Sequence, residues 1–496
     1  MPVNIAMIEL SDDLGDTHFD VAVLGAGPAG ANAAIEASSH GLTVALIDEA
    51  ASAGGQVWRA PSTASAMQLN DNDADRLAGD ELRVCLKASS VLRISKAVVW
   101  SVVKQDLANA RYRVELHRKG CMKTIHAHQL VVALGAVERV VPFPGWTLPG
   151  VFGLAAATAM LKRDGNVPGH QVAIAGQGPL LFAVAAKALS AQKPPQIIVD
   201  AAARRDWMHS AIGMARSYRQ LMRGAKWMGS LALARVSTLT RSAIVAAHGN
   251  ERLQAIDIAP LAADGAPDYD RLRRIEIDTL FIGNGLSPVA EIPRLLGATI
   301  HRDSLRGGFS VARDQFGRTD VNGLLVAGDG AGVYGAVPSA IAGTLAGLAC
   351  ARDSNKVPDT VMDRRGLYYR QRYRRSESCA DASCRLMQVP TARMDAIPEH
   401  TIVCRCEMVS RADISAAASN GVSRMDELKT QTRLGMGACQ GRMCERNAAS
   451  LLSLAVGNNK PVGMLTQRIP LRPLPVNQLT GSFTYDDIPV PAAAPI

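Results

Sequence analysis

Two stretches of the chain share one pattern of apolar and polar positions: a short apolar run, a glycine-rich turn, a longer Ala-rich run and a second apolar run. The first stretch covers residues 19–50, and the second begins at residue 170. A short apolar run that ends in glycine predicts a strand, and a longer periodic run predicts a helix. Each stretch therefore predicts strand, tight turn, helix and second strand, which is the beginning of a doubly wound α/β sheet.

Further apolar runs indicate how the two units are connected. Residues 130–146 predict a buried strand followed by a Pro-rich crossover, and residues 280–292 predict the strand that returns the chain to the first unit. We therefore expect an α/β fold with two Rossmann-like domains, the second inserted into the first. The expected units are an N-terminal tail (1–18), a discontinuous first domain (19–150 and 286–350), a second domain (151–285), an Arg-rich linker (351–400), a small helical domain (401–455) and a Pro-rich tail (456–496).

The first glycine turn has the spacing of a dinucleotide site. Gly25 permits the turn, Gly27 allows a pyrophosphate to approach the backbone, and Gly30 lets the helix pack close to the strand. Pro28 and Ala29 begin the helix, and its free N–H groups would bind the pyrophosphate.

Two acids follow the second strand. Asp48 and its neighbour Glu49 lie about 20 residues after the glycines, where a carboxylate accepts hydrogen bonds from an adenosine ribose. Because a carboxylate disfavours a 2′-phosphate, FAD or NAD is expected rather than NADP.

Three further segments resemble those of the two-dinucleotide-domain flavoproteins, the glutathione-reductase-like class. The resemblance implies FAD in the first domain, with Asp329 at the ribityl chain; Asp329 can also cap the helix that follows it. No C-x-x-C or C-x4-C follows the first FAD motif, so a thiol relay is not expected. Cys85 and Cys121 are isolated and are expected to be small buried hydrophobic side chains. The matching residues of the three segments are Gly55, Gln56 and Arg59; Gly135; and Gly328 with Asp329.

The second glycine turn is incomplete. Gly176 and Gly178 are present, but Leu181 stands at the third glycine position, and Asp200 follows the next strand. A leucine there either separates helix from strand or packs between them. Two interpretations stay open: a bound second nucleotide (NAD or ATP), or a domain that keeps the shape without a ligand. FMN at a subunit interface is a further candidate cofactor.

Four cysteines near the C-terminus predict a metal centre. Cys404 and Cys406 form C-x-C, and Cys439 and Cys444 form C-x4-C. Structural zinc favours C-x2–4-C pairs, and nine cysteines, an odd number, do not suggest a disulfide scaffold. Glycine-rich turns such as residues 435–441 offer N–H groups to the sulfurs of an iron–sulfur cluster. A [2Fe–2S] cluster is the favoured interpretation, and zinc is the alternative.

The segment between the two cysteine pairs predicts short helices. Ile414, Ala417, Ala418 and Leu428 have helical spacing, so we expect a small α-helical domain around the cluster. The region resembles the bacterioferritin-associated-ferredoxin-like [2Fe–2S] domain, through CRCE (404–407), KTQTRLGMG (429–437) and CQGRMC (439–444). Another C-x4-C pair, Cys379 and Cys384, has no counterpart there and is interpreted as linker cysteines.

Over residues 19–480 the chain resembles the large flavoprotein subunits of bacterial opine oxidases (octopine and nopaline types), D-hydroxyproline dehydrogenase and hydrogen cyanide synthase. The α-subunit of heterotetrameric sarcosine oxidase is a more distant relative. The resemblance implies a partner subunit of the D-amino-acid-oxidase type, whose own FAD oxidises the C–N bond of a secondary amino acid; water then releases a 2-oxo acid. Some of these complexes add a small ferredoxin-like subunit.

In such a complex this chain would receive electrons through its FAD and cluster and pass them singly to an external acceptor. We identify no catalytic residue for C–N oxidation in the chain. The alternatives are a stand-alone NAD(P)H-dependent flavoprotein reductase and the glycine-oxidising hydrogen cyanide synthase subunit. A non-enzymatic iron–sulfur sensor or scaffold is disfavoured by the complete set of FAD motifs.

Composition and charge argue against a nucleic-acid-binding, a membrane-spanning or a secreted protein. The 496 residues carry a formal net charge of +9, but the basic run at 363–375 has no nucleic-acid motif beside it. We expect that run to form a partner surface or a solvated helix face. No apolar run reaches the ~18–20 residues of a membrane span, and the first 20 residues do not form a secretory signal. We expect a cytoplasmic protein, and a peripheral contact with the inner membrane through its electron acceptor stays open.

Overall fold

A mainly parallel sheet and its first helices are built from residues 17–132. The computed structural model of the protein describes residues 17–70, 73–107, 110–214, 217–457 and 461–478. The first elements are β1 (Thr17–Leu24), α1 (Pro28–Ser39), β2 (Val44–Asp48), α2 (Ala64–Leu69), α3 (Ala74–Ala88), β3 (Leu92–Ser95), β4 (Ala97–Leu107), β5 (Ala110–Arg118) and β6 (Cys121–Val132).

The middle of the chain supplies a second group of strands and helices. These elements are β7 (Ala136–Glu138), β8 (Val151–Gly153), α4 (Leu154–Arg163), β9 (Val172–Gly176), α5 (Pro179–Ser190), β10 (Ile197–Asp200), α6 (Arg204–Met214), α7 (Tyr218–Leu233), β11 (Ser237–Thr240), β12 (Ser242–His248), β13 (Ala255–Pro260), β14 (Arg273–Glu276) and β15 (Thr279–Gly283).

The chain then returns to the first sheet and ends in helices. The remaining elements are β16 (Leu286–Pro288), α8 (Glu291–Leu295), β17 (Ile300–Asp303), β18 (Gly308–Val311), β19 (Leu324–Val326), α9 (Ala336–Asp353), α10 (Asp359–Leu386), α11 (Thr391–Asp395), β20 (Ile402–Cys404), β21 (Val409–Ser410), α12 (Arg411–Ser419), α13 (Met425–Thr432) and α14 (Glu445–Ala455).

The first sheet has the order β3-β2-β1-β6-β5-β4, with β19 also paired to β6. The long strand β6 makes this possible, because residues 130–132 pair in parallel with β19 while residues 121–127 pair antiparallel with β5. Strands β1, β2, β3, β6 and β19 run parallel, so their carboxyl ends meet at one edge. In open α/β sheets that edge is where ligands bind.

The second sheet is wholly parallel, in the order β11-β10-β9-β15-β8. Alternate residues of its strands face two separate cores, as the pleat requires. Ala173 and Ala175 of β9 face the antiparallel sheet β12-β13-β14, whereas Ile174 between them faces α4, α5 and α7. The strands of this sheet lie between residues 151 and 283, inside the second unit expected from the sequence; the domain boundaries themselves stay predictions.

The segment expected to be an Arg-rich linker is largely helical. After Pro358 the chain has no proline until Pro390, and the 28-residue α10 fills most of that interval. This helix packs against α9 and α6. Part of its basic run binds the chain itself, since Arg365 pairs with Glu36 and Arg370 donates to Gln315.

A small helical unit follows, with a core of its own. Ile414, Ala417 and Leu428 are buried there beside Cys404 and Cys444, so the helices expected between the cysteine pairs are α12 and α13. Residues 461–478 then run back over this unit to the first sheet, where the Leu471 N–H donates to Trp100 O. Residues 1–16 of the expected N-terminal tail and residues 479–496 of the Pro-rich tail lie outside the described residues. In the described part of the chain, no helix is both long and apolar enough to cross a bilayer.

Candidate functional site

The first glycine turn lies at the carboxyl end of β1 and leads directly into α1. Gly25 has φ +98°, and its N–H donates to Ile47 O at 2.8 Å. A Cβ on Gly30 would lie 1.8 Å from Gly25 O, so the helix start is packed directly on the turn. A second glycine segment closes over it, because a Cβ on Gly55 would lie 3.0 Å from the Gly27 Cα. Bare backbone therefore lines this cradle, as close approach of a pyrophosphate requires.

The two acids after β2 have different surroundings. Asp48 accepts the N–H of Ala26 at 2.5 Å and that of Ala50 at 2.6 Å, so its carboxylate braces the glycine turn. Burial raises the pKa of Asp48, while those two N–H groups oppose the shift. Glu49 is exposed and forms an ion pair with Arg472 of the C-terminal segment at 3.0 Å. Asp48 is thus the acid that lies directly at the turn.

Gln56 and Arg59 lie in the same closing segment as Gly55. Arg59 Nη2 donates to Gln56 Oε1 at 2.6 Å. The Nε of Arg59 is buried and has no hydrogen-bond partner among the described residues. A buried donor without an acceptor is costly, so this atom fits a bound acceptor such as an oxygen of FAD.

The last FAD motif packs on the first one. Gly328 has φ +71°, and a Cβ there would lie 2.7 Å from the Ala29 Cβ. Asp329 Oδ1 accepts the N–H groups of Tyr334 and Gly335, both at 2.8 Å, in the loop that leads into α9. The expected capping role is wrong, because the N-cap of α9 is Gly335 and no side chain caps this helix. Gly135 lies beside this motif, because a Cβ on Gly330 would be 3.4 Å from the Gly135 N. Its ligand role, like that of the other FAD residues, stays a prediction.

The fold brings the four C-terminal cysteines together. The Cys444 thiol lies within hydrogen-bonding reach of those of Cys404 and Cys439, and Cys439 reaches Cys406. Cys404 and Cys444 are buried, whereas Cys406 is exposed. Across the described residues, no three or more His, Cys, Asp and Glu side chains already surround a shared metal position.

Contacts among the four thiols lower the pKa of Cys404 and Cys439 and raise the pKa of Cys406 and Cys444. The hydrogen bond with Cys444 lowers the pKa of Cys404 to about 6, burial opposes it, and the N–H of Gly435 lowers it further. The pKa of Cys439 falls to about 5, again chiefly through Cys444. A Cβ on Gly437 would lie 2.3 Å from the Cys406 Cβ, so glycine lets the two cysteine loops touch. Four converging cysteines with backbone N–H donors beside them suit an iron–sulfur cluster.

The second glycine turn is filled by the chain itself. A Cβ on Gly178 would lie 2.7 Å from the Cγ of Met387, which follows α10. Gln177, between the two glycines, donates to Gln388 O at 2.8 Å. A Cβ on Gly176 would lie 1.9 Å from Gly283 O, and Leu181 is fully buried in the core behind α5. The leucine therefore packs between helix and strand.

Asp200 does not point its carboxylate at the mouth of that turn. It is fully buried; Oδ1 accepts the N–H of Ala202 at 3.0 Å, and Oδ2 accepts Trp207 Nε1 at 2.7 Å. Burial raises its pKa to about 6, against those two donors. Each oxygen thus already accepts one hydrogen bond from the protein. The presence of a second nucleotide stays a prediction.

The remaining cysteines divide into two groups. The expectation that Cys85 and Cys121 are buried is wrong, because both are exposed: one lies on the outer face of α3 and the other at the β5–β6 turn. Cys379 and Cys384 are buried in α10, and Cys384 donates to Val333 O. Burial raises the pKa of Cys384 to about 11, which makes it a poor nucleophile.

Residues that the sequence did not single out hold the cysteine loop against the first sheet. Arg442, between Cys439 and Cys444, pairs with Glu291 at 2.5 Å. Glu445, next to Cys444, makes two hydrogen bonds with Arg294 at 2.8 and 3.1 Å. Glu291 and Arg294 lie in α8, and each is 151 residues before its partner, Arg442 or Glu445. No local spacing in the sequence could have paired them.

Two protein-family models match this chain. Residues 19–344 match the family described as pyridine nucleotide-disulphide oxidoreductase, and residues 402–453 match the BFD-like [2Fe-2S] binding domain. The chain belongs to the pyridine nucleotide-disulphide oxidoreductase family. As a member of it, this flavoprotein has the α/β fold and the C-terminal [2Fe–2S] domain that its motifs predicted.

Whole-length relatives confirm the resemblance stated from the motifs. The flavoprotein is 31% identical to an opine oxidase subunit of Rhizobium meliloti (strain 1021), over 93% of this chain and 98% of the relative. It is 30% identical to an opine oxidase subunit of Agrobacterium tumefaciens (strain Ach5), over 95% and 93%. Hydrogen cyanide synthase subunit HcnB of Pseudomonas protegens is 29% identical, over 91% and 96%.

Solved structures show the same fold. L-proline dehydrogenase from P. horikoshii gives a TM-score of 0.69 at 20% identity, covering 95% of this flavoprotein and 81% of that chain. Thioredoxin reductase from T. acidophilum gives 0.50 at 18% identity, covering 68% and 99%. The relatives and the two matched domains show that the chain is a FAD and [2Fe–2S] oxidoreductase subunit.

Proposed function

We propose that this chain is the electron-transfer subunit of a heteromeric dehydrogenase that oxidises the C–N bond of an opine or a related secondary amino acid. The main support for this proposal is that the cysteine loop contacts the FAD domain directly, through the ion pairs Arg442–Glu291 and Arg294–Glu445. Electron transfer between two cofactors in one chain needs such a fixed arrangement. The names of the opine oxidase relatives support the substrate class.

In the proposed complex, the partner subunit oxidises the substrate and this chain transfers the electrons. A partner subunit of the D-amino-acid-oxidase type removes two electrons and two protons from R–NH–CHR′–COO⁻, and water hydrolyses the imine to an amine and a 2-oxo acid. Flavin suits a two-electron exchange, and an iron–sulfur cluster suits single-electron delivery to an external acceptor. In this chain the cradle around Gly27 and Gly55 would bind the pyrophosphate of FAD, and Cys404, Cys406, Cys439 and Cys444 would hold the iron.

An uncovered apolar surface supports a partner subunit. Helices α6 and α7 expose large apolar side chains, and contiguous exposed apolar area usually marks an interaction site. A small ferredoxin-like subunit is a further candidate partner. The apolar side chains on these helices are Met208, Ile212, Tyr218, Leu221, Met222, Met228 and Leu233.

Two alternatives have different support. The similarity to subunit HcnB favours glycine as a second candidate substrate. A stand-alone NAD(P)H-dependent reductase is less well supported, because Met387 occupies the space above Gly178 and Asp200 uses both carboxylate oxygens internally.

The proposal is tested with a co-produced complex. The chain is co-expressed with a D-amino-acid-oxidase-like subunit, and octopine, nopaline and glycine are supplied with a one-electron acceptor. We expect an opine to reduce the acceptor, two irons per chain, and no rapid bleaching of this chain's flavin by NADH.

A cysteine variant separates the two electron-transfer steps. Cys439→Ser should lose both irons and lower acceptor reduction at least tenfold, while the opine still reduces the partner's flavin. Cys121→Ser, which alters an exposed cysteine in the first sheet, is the matched control and should retain full activity. Stoichiometric zinc would refute the iron–sulfur cluster. Turnover with glycine alone would refute the opine substrate. Fast flavin reduction by NADH would refute the role as an electron-transfer subunit.

A further inference from the structure

The four candidate cluster cysteines are not covered equally. Cys404 and Cys444 are buried, whereas Cys406 is exposed to solvent. Beside Cys444 the chain is held against the FAD domain, because Glu445 forms an ion pair with Arg294 of α8 at 2.8 Å. The cysteine group therefore has one side on the FAD domain and another side, at Cys406, that faces solvent.

Two large apolar side chains are exposed beside Cys406. Met408, two residues after it, is 61% exposed. Met436 is 44% exposed and precedes Gly437, where a Cβ would lie 2.3 Å from the Cys406 Cβ. Because the two loops touch at this point, both methionines lie close to the exposed cysteine. Grouped apolar side chains on a surface usually mark an interaction site.

The C-terminal segment adds a third apolar side chain. Gln440, which follows Cys439, donates its side-chain N–H to Pro470 O at 2.9 Å. Ile469 precedes this proline and is 40% exposed. The segment thus lies along the cysteine loop, yet it leaves Cys406 exposed.

The charges on these loops are mainly positive. Arg405 is exposed, its guanidinium carbon lies 5.6 Å from the centroid of the Trp146 ring, and it has no ion-pair partner among the described residues. Arg468 in the C-terminal segment is also exposed and forms no ion pair within the part of the chain that the structure describes. Arg433 pairs with Glu407 at 2.9 Å, and its side chain is 69% exposed. Three arginines and one carboxylate leave a net charge of +2 on these loops.

We propose that a small acidic electron-carrier protein docks here and accepts one electron from the chain, a role that rests on the electron-transfer function proposed above. At Cys406 a carrier can approach the cluster residues most closely. The arginines attract an acidic carrier, and the apolar side chains exclude water at the contact. The carrier's centre is reduced by one electron, and no bond is formed or broken. The carrier surface consists of Arg405, Met408, Arg433, Met436, Arg468 and Ile469.

The small size of the carrier surface favours a transient partner. Weak electron-transfer complexes bury the least area of the common interface types, whereas permanent subunits bury larger and more apolar surfaces. The carrier surface combines three apolar side chains with exposed charge, which is typical of the first class. The uncovered face of α6 and α7 has more large apolar side chains and fits a permanent subunit better.

Rapid mixing of the reduced holoprotein with oxidised cytochrome b5, an acidic haem protein, tests the carrier surface. The holoprotein is reduced with dithionite and freed of excess reductant beforehand, so neither a partner subunit nor an opine is needed. We expect haem reduction with a rate constant that falls as ionic strength rises, and the opposite salt dependence with cytochrome c, a basic haem protein. No haem reduction, or a rate constant that rises with salt for cytochrome b5, would overturn the proposal. Failure of an opine to reduce the complex would instead count against the proposed function alone.

Matched variants locate the contact, and calorimetric titration of the oxidised proteins measures binding without electron transfer. Met436→Glu places a negative charge in the carrier surface, so it should weaken binding of cytochrome b5 and slow its reduction about tenfold. Met67→Glu, at an exposed methionine of α2, should change neither. Variants are compared at equal iron content.

A milder pair of variants covers the case in which Met436→Glu does not fold. Arg468→Gln should weaken binding of cytochrome b5 about two- to fivefold, whereas Arg93→Gln, at an exposed position of β3, should leave it unchanged. Equal effects of these two substitutions would overturn the proposal. A dimer of the wild type that dissociates in Arg468→Gln, seen by sedimentation velocity, would also overturn it, because the occupant would then be a second copy of the chain.

Discussion

Glu138 is a buried carboxyl group held against the first turn of α4. A Cβ on Gly153 would lie 1.7 Å from its Oε2, and a Cβ on Gly283 would lie 2.6 Å from its Oε1. The Ala155 N–H donates to Oε1 at 2.9 Å. Burial raises the pKa of Glu138 to about 8, although the N–H groups of the helix start oppose the shift. Residues 153 and 283 must therefore be glycine, because any larger side chain would collide with the Glu138 carboxyl group.

We expect Glu138→Gln to remove a pH dependence of stability. The folded pKa of about 8 lies above the reference value of 4.5, so the folded protein binds the proton more tightly. The free energy of unfolding of the wild type therefore falls as pH rises from about 4.5 to 8, by at most about 5 kcal/mol. Glutamine mimics the protonated carboxyl and should flatten this slope.

Denaturant unfolding at several pH values between 5 and 8 measures the effect. Glu276→Gln, on the exposed face of β14, is the control and should keep the wild-type slope. An unchanged slope in Glu138→Gln would show that another group is responsible.

Helices α1 and α9 determine how closely the two ends of the FAD motif approach. A Cβ on Gly343 would lie 1.9 Å from Ala29 O, and one on Gly347 would lie 2.4 Å from Ala33 O. These glycines let α9 pack on the backbone of α1, which places Gly328 against the first glycine turn. Sequence alone showed a Gly-rich helix; the contact with α1 explains why the glycines are needed.

Gly343→Ala should therefore weaken FAD binding. The added methyl group must push α9 away from α1, at a cost of about 1–3 kcal/mol, and so open the cradle. The FAD content of the purified protein and its melting temperature measure the result. In α7, Gly229→Ala meets no atom within 4 Å and should stabilise by about 0.5–1 kcal/mol without changing FAD content. Equal effects of the two substitutions would contradict this account.

At the scale of the whole molecule, charged contacts hold the cysteine-rich unit on the FAD domain. Arg294 and Glu445 are both largely buried and bind each other at two points. Arg472 joins the C-terminal segment to the same region, through Glu49 and Glu291. The distance between the two cofactors therefore depends on side chains that lie far apart in the sequence.

Arg294→Met should loosen this docking. It leaves the Glu445 carboxylate buried without its partner, which costs about 3–5 kcal/mol, and the double variant Arg294→Met/Glu445→Gln should recover part of the loss. Thermal unfolding and limited proteolysis after residue 395 measure the change. Arg352→Met breaks an exposed pair with Asp359 and should cost less than about 1 kcal/mol. No difference between Arg294→Met and Arg352→Met would argue against the docking role.

Local patterns predicted much of the fold. The glycine turn at 25–30, the strand that ends at Asp48 and the helices between the cysteine pairs were found because each depends on neighbouring residues and a fixed period. The same reasoning misjudged Cys85 and Cys121, because burial depends on which helix face or turn a residue reaches. It also described residues 351–400 as a linker, whereas Asp359–Leu386 form the packed helix α10.

The sequence by itself determined the two dinucleotide folds, the FAD motif and the four candidate cluster cysteines, since spacing along the chain carries that information. Only the tertiary structure decided what surrounds them. It placed Met387 in the second glycine turn, turned Asp200 inward and paired Arg442 with Glu291. The physical reason is that burial, and the pairing or isolation of charge, depends on which distant segments come into contact.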